Sequence, residues 1–320
     1  MHRRRTACVD RPDVMPRPAD SPVGHGEGPD WVDRPERSST LALRFMAWVA
    51  IALGRPVARG LLYPICLYFL AFSPRARSAS RQYLSRVLGR DAQLADLFRH
   101  YYSFACVLLD RVFLLNDQFS RFDVRIHGAE IIDELIARQE GCVLLGAHLG
   151  SFEIARSAGR TRGLKLSMLM YEQNARKVGA VFKAINPDLQ TEIIALGEVD
   201  SMLKVEAALA RGGLVGMLSD RTLNAGGTVY CQFLGREARF PTGPIRLATV
   251  LHRPVALIFG LYRGGNRYEI HIERFAEPTQ LGGRGRDEAA NQLLLRYVER
   301  LEHYCRLAPY NWFNFYDFWR

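Results

Sequence analysis

The sequence predicts an α/β fold: a mostly parallel sheet flanked by helices in a single domain, preceded by membrane-associated helices. Three observations carry this expectation. From Phe122 onward, short apolar runs alternate with helix-periodic stretches, the pattern of strands and crossover helices covering a parallel sheet. Before it lies an apolar segment with no acidic residue. The 320 residues, 48% hydrophobic and 24% charged, are enough for a substantial core.

Taken in order, residues 1–38 are rich in Pro, Gly, Asp and Arg with almost no apolar periodicity, and are expected to be a disordered tail. Residues 39–75 are expected to associate with a membrane, and residues 76–320 to form the main domain. Between Arg37 and Arg90 there is no Asp or Glu, so nine arginines give this stretch +9 of the chain's net +10. Interleaved with them are Phe45–Leu53 and Leu61–Phe72, apolar runs carrying Trp and Tyr. Arginine and aromatics beside apolar runs suit an anionic membrane surface. Neither run reaches the roughly 20 apolar residues of a spanning helix, and Arg55, Pro56 and Arg59 interrupt their union. A monotopic or re-entrant anchor is therefore expected ahead of a strained single pass; a buried helix pair is the alternative. The runs are too apolar for a nucleic-acid groove, and no nucleic-acid module is recognisable, so no nucleic-acid partner is expected.

Residues 74–116 are helix-periodic, through Leu84, Val87, Leu88, Leu94, Leu97, Phe98 and Tyr101. Strands are then expected at 123–127, 142–147, 165–170, 191–196, 214–219, 254–262 and 267–274. Helices are expected at 129–139, 152–162, 174–185, 199–211, 242–251 and 287–306. Within Val229–Phe240, Gly235-Arg236 is expected to be a turn between two short strands.

The chemistry centres on His148-Leu149-Gly150-Ser151-Phe152-Glu153, entered from the strand Cys142–Ala147. A histidine with a carboxylate can act as a base with its orienter, taking the proton from an alcohol or amine. Five residues of ideal helix rotate a side chain by about 500°, some 140° off alignment. The pair can meet only if His148 lies on the loop and Glu153 in the next helix's first turn. Gly150 permits a bend there and Ser151 is a good N-cap. Backbone N–H groups at Gly150 and Ser151, or Arg221, are expected to stabilise an oxyanion. Asp220-Arg221 closes another apolar run; a substrate role and a salt-bridged strand end are both open. Thr242 and Gly243 open a helix whose N–H groups could face an anion.

Six scattered cysteines without a C-x-x-C indicate reduced thiols, with neither a disulfide framework nor a metal site expected. No dinucleotide fingerprint, Walker loop, H-E-x-x-H or G-x-S-x-G is present, so no cofactor is expected. The end, Pro309–Arg320, has seven aromatics in twelve residues; core packing, an acyl tunnel and a membrane interface are all open.

In this order and spacing, these elements resemble the lysophospholipid acyltransferase-like superfamily, specifically its bacterial lipid A late (lauroyl/myristoyl) acyltransferase branch, over residues 41–320. The resemblance rests on the anchor, His148-x4-Glu153, Asp220, Phe233-Leu234-Gly235, Thr242-Gly243-Pro244, and Pro309 with Trp312. It implies transfer of a fatty acyl group from an acyl thioester, on acyl carrier protein or CoA as co-substrate, to a hydroxyl of a lipid A-type acceptor. It further implies acyl carrier protein and a membrane lipid as partners, and the cytoplasmic face of the inner membrane as location. Asn311–Phe315 departs from the arginine-rich ending common in the branch. Another glycolipid, lysophosphatidate, an aminolipid or a polyene-type lipid therefore stays open as acceptor, and so does a catalytically silent scaffold.

Overall fold

The computed structural model describes residues 17–18, 40–186, 193–221, 227–278 and 286–320. Apart from β1 (Arg17–Pro18), the expected disordered tail lies outside these residues.

The N-terminal part is helical: α1 (Thr40–Leu53), α2 (Arg55–Phe72), α3 (Pro74–Leu88) and α4 (Leu94–Leu115). The breaks follow local chemistry. Gly54 at φ 85° separates α1 from α2, and Pro74 starts α3, where its missing N–H costs nothing. Gln93 and Asp96 form a reciprocal capping box that starts α4.

After a 3₁₀ turn come β2 (Asp123–His127), α5 (Ala129–Ala137), β3 (Cys142–Gly146), α6 (Phe152–Thr161), β4 (Leu166–Tyr171), α7 (Glu172–Ile185) and β5 (Ile193–Leu196). They are followed by α8 (Ser201–Ala210), β6 (Leu214–Leu218), β7 (Thr228–Phe233), β8 (Arg236–Pro241), α9 (Gly243–Leu251), β9 (Val255–Tyr262), β10 (Arg267–Ala276) and α10 (Arg286–Leu307). Every expected strand and helix has its counterpart, although residues 191–192 of one expected strand lie outside the described residues.

Seven strands form one sheet in the order β2-β10-β9-β3-β6-β4-β5. All neighbours are parallel except the β9–β10 hairpin. β3 and β9 are buried at every residue, as two-sided cover by helices requires. β1, β7 and β8 form a second, small antiparallel sheet.

The β7–β8 turn differs from expectation. Its central residues are Leu234 and Gly235, both at positive φ (50° and 79°), and Arg236 already pairs with Phe233. A two-residue hairpin of type I′ needs left-handed backbone at both central positions. Gly235 adopts it without strain, and Leu234 is held by its buried side chain and by donating its N–H to Glu302 at 2.6 Å.

Two arginines tie the N-terminal helices to the sheet. Arg55 makes a bidentate pair with Asp110 of α4 (Nε–Oδ1 2.6 Å, Nη2–Oδ2 2.8 Å), and Tyr268 of β10 donates to the same carboxylate at 2.8 Å. Arg55 and Arg59 also donate to the Gly265 carbonyl in the β9–β10 turn.

Among the described residues, no single helix is long and apolar enough to cross a membrane; α2 and α3 pass together but bend by 97° at their break. The five described cysteines are free and buried.

Candidate active site

β3 and β6 pair in register, Gly146 opposite Leu218. Two residues beyond each lie His148 and Asp220, so adjacent parallel strands deliver a histidine and a carboxylate side by side. This is the C-terminal edge of the sheet, where open α/β folds place ligands.

His148 Nδ1 lies 2.8 Å from Asp220 Oδ1, and the His148 backbone N–H donates to the same carboxylate at 3.1 Å. Asp220 is fully buried. Trp312 Nε1 and Asn314 Nδ2 complete its donor set at 2.9 and 3.0 Å. Burial opposes ionisation of Asp220, but His148, Arg221 and Asn314 together hold its carboxyl well below the usual carboxylate range. An ionised Asp220 fixes the proton on Nδ1 and leaves Nε2 as the acceptor nitrogen. Burial, then the Arg221 charge, push the His148 pKa below its ordinary value despite Asp220, so the imidazole is neutral near pH 7. Its side chain keeps 28% of its exposure, enough for a substrate to reach.

Glu153 does not meet His148. Ser151 caps α6 by accepting the Ile154 N–H at 3.2 Å, which puts Glu153 in the first helical turn facing α4. There it pairs with Arg111 at 2.9 Å and accepts from Ser151 Oγ at 3.4 Å. Asp220 therefore holds the position beside Nδ1 that the sequence spacing assigns to Glu153.

The expected oxyanion donors are also committed elsewhere. Gly150 N–H donates to Asn311 O at 2.8 Å, and Ser151 N–H to Gly260 O at 2.7 Å. Gly150 itself is dictated by space: its φ is 68°, and a Cβ would sit 2.0 Å from Gly260 O. Arg221 donates to Asn314 Oδ1 at 2.7 Å and to Phe313 O at 3.0 Å, packing against the chain end rather than reaching out. Thr242 starts α9, but its hydroxyl and N–H both donate to Gly227 O, and no capping bond forms. Thr242 and Gly243 thus belong to the β8–α9 junction, while His148, Gly150, Ser151, Asp220 and Arg221 come together.

The aromatic terminus builds the site from behind. Phe313 N–H donates to His148 O at 2.8 Å, and Leu149 bridges Trp312. Asn311 holds both backbone groups of Tyr262 at the end of β9. Trp312 is fully buried against Tyr83, Phe233 and Phe318. Its carbonyl meets Nε2 of buried His100 at 2.9 Å, whose Nδ1 meets Ser80 Oγ at 2.8 Å. Burial lowers the His100 pKa to about 4, so this histidine stays neutral and structural. The sequence motif flags Trp312, but Asn314 and Arg111 carry no local signal: each acts through a residue distant in the chain.

Arg111 and Phe315 also line an apolar groove of about 820 Å³, within the usual size of small-molecule sites, whose walls do not include His148 or Asp220. Leu62, Cys66, Phe69, Phe104, Leu108 and Val181 contribute to its walls. Arg111 lines it and also acts electrostatically on His148, while Arg75 and Lys177 add basic groups.

A neutral histidine oriented by a buried carboxylate, linked through Arg111 to a groove lined by hydrocarbon, defines a site for base-assisted transfer of an apolar group. The chain belongs to the bacterial lipid A biosynthesis acyltransferase family, whose profile matches residues 32–320. It is an acyltransferase, and its acceptor is a lipid. No protein of curated function matches it.

Proposed function

We propose that this enzyme moves a fatty acyl group from an acyl thioester, carried by acyl carrier protein, to a hydroxyl of a lipid A-type glycolipid at the cytoplasmic face of the inner membrane. The observation that carries this reading is the His148–Asp220 contact at 2.8 Å, linked through Arg111 to the apolar groove. His148 Nε2 takes the acceptor hydroxyl proton as the oxygen attacks the thioester carbonyl, and Asp220 stabilises the imidazolium. Collapse of the tetrahedral adduct breaks the carbon–sulfur bond. The leaving thiolate recovers the proton from His148, so no acyl-enzyme is needed. Arg111, held by Glu153 at the groove wall, is suited to steady the developing negative charge. The basic groups at Arg75 and Lys177 suit an acidic carrier. Purified enzyme supplied with acyl carrier protein loaded with a labelled acyl chain, and with a lipid A precursor, should yield labelled lipid. Transfer only to another lipid class would sink the lipid A reading, and consumption of acyl-CoA alone would sink the carrier reading.

The membrane side of the proposal rests on α1 and α2. Phe45, Trp48, Leu53, Leu67, Tyr68 and Phe72 are each more than half exposed, on helices with no acidic residue. Burying one such side chain in the interface contributes about 1.5–3 kcal/mol. Changing Trp48 and Phe72 together to Ser should therefore lower vesicle affinity by about two orders of magnitude while preserving thermal stability. Unchanged flotation with anionic vesicles would remove this surface from the membrane contact.

A further inference from the structure

Away from the dyad, the sheet assembles a group of ligating side chains that the sequence does not place together. Glu269 and His271 stand two residues apart on β10 and share a face. β2 pairs with β10 in register, His127 opposite His271, so three side chains from two strands converge. Their ligating atoms all lie within 4.8 Å of one another. The two imidazoles stack, with ring centres 4.5 Å apart and planes 12° from parallel. An imidazole ligates in its own ring plane, so the two stacked rings must splay apart to aim one nitrogen each at a common point.

His271 Nε2 is buried without a hydrogen bond among the described residues, lying 3.5 Å from Glu269 Oε2. A buried nitrogen in that condition is costly unless something else satisfies it. Arg263 reaches Glu269, but its contacts fall on Oε2 alone, at 2.8 and 2.9 Å. A carboxylate fixed through one oxygen can ligate through the other, with the arginine as an outer support. His127 is exposed, which gives an ion access and leaves room for water.

We propose that His127, Glu269 and His271 bind a borderline divalent transition ion such as Zn²⁺, with water completing the coordination. Two imidazoles and a carboxylate are a donor set suited to zinc rather than to magnesium or calcium. The expectation of no metal rested on cysteine spacing and on the absence of H-E-x-x-H, and this set uses neither. Bound there, the ion straps β2, an edge strand whose only neighbour in the sheet among the described residues is β10, onto the rest of the sheet.

The experiment titrates tag-free, chelator-treated full-length enzyme with Zn²⁺ against a chromophoric chelator, and follows thermal unfolding in parallel. One equivalent should bind, with affinity at least tenfold weaker in His127→Ala, His271→Ala and Glu269→Gln. The melting temperature should rise with Zn²⁺ in the parent and stay flat in the variants. Co²⁺ should give the visible absorption of a four-coordinate nitrogen–oxygen site. His127 is exposed, so His127→Ala tests the site even if His271→Ala fails to fold. Binding below half an equivalent, or binding unchanged in His127→Ala, overturns the proposal.

Discussion

Replacing His148 by Ala is expected to lower kcat/KM by about 10²–10⁴-fold, the usual contribution of a general base, with no loss of vesicle binding. Asp220→Asn should lose activity on the same scale, because the amide can hold the imidazole in the wrong tautomer and offers no charge to the imidazolium. The pH profile separates the two candidate orienters. His148 titrates below its ordinary value, so activity should persist as pH falls through about 6.5 and decline only at lower pH as the base protonates. Asp220 raises that pKa within the balance, so Asp220→Asn should move the acid limb further down. Glu153 faces Arg111, so Glu153→Gln should impair turnover through the groove while leaving the acid limb in place. Measuring kcat/KM from pH 4.5 to 8 decides between them: a limb displaced by the Glu153 change but not by the Asp220 change would return the orienting role to Glu153.

The second large effect concerns stability. Asp110 is fully buried and the Arg55 side chain is 13% exposed, and the pair joins α2 to α4 and, through Tyr268, to β10. Asp110→Ala strips the partner from a buried guanidinium and from the Tyr268 hydroxyl. Breaking such a pair typically costs about 3–5 kcal/mol. Denaturant unfolding in detergent should show a loss of that order. The exposed Arg162–Asp133 pair, with Asp133 61% accessible, serves as the control: Asp133→Ala should cost less than about 1 kcal/mol. Equal effects from both changes would mean that Asp110 does not anchor the helices.

Local pattern made most of the architecture legible. Cys142–Gly146, Leu214–Leu218 and Val255–Tyr262 are apolar along their whole length because both faces of the sheet are covered. Ser151 capped its helix as its chemistry requires. The arginine-rich, acid-free stretch and the apolar faces of α1 and α2 also follow from residue order alone. The β7–β8 turn was misplaced by one residue because Leu234, a poor left-handed residue, is held in that conformation by tertiary contacts.

The sequence by itself determined that His148 and Asp220 follow apolar strands of a parallel sheet, with Glu153 five residues past the histidine, behind an apolar segment free of acidic residues. Which carboxylate serves the histidine was decided only by the tertiary structure. Strand order is a long-range property: β3 neighbours β6 across 72 residues of chain, and their register sets Asp220 against His148. The nearer Glu153 is turned away by the helix that Ser151 starts. The same holds for Trp312 and Asn314, whose donation to Asp220 depends on the chain end folding back over the sheet. It holds equally for His127 and His271, brought together by pairing between strands far apart in sequence. Local propensity places residues on strands and helices, and only packing settles which strand lies beside which.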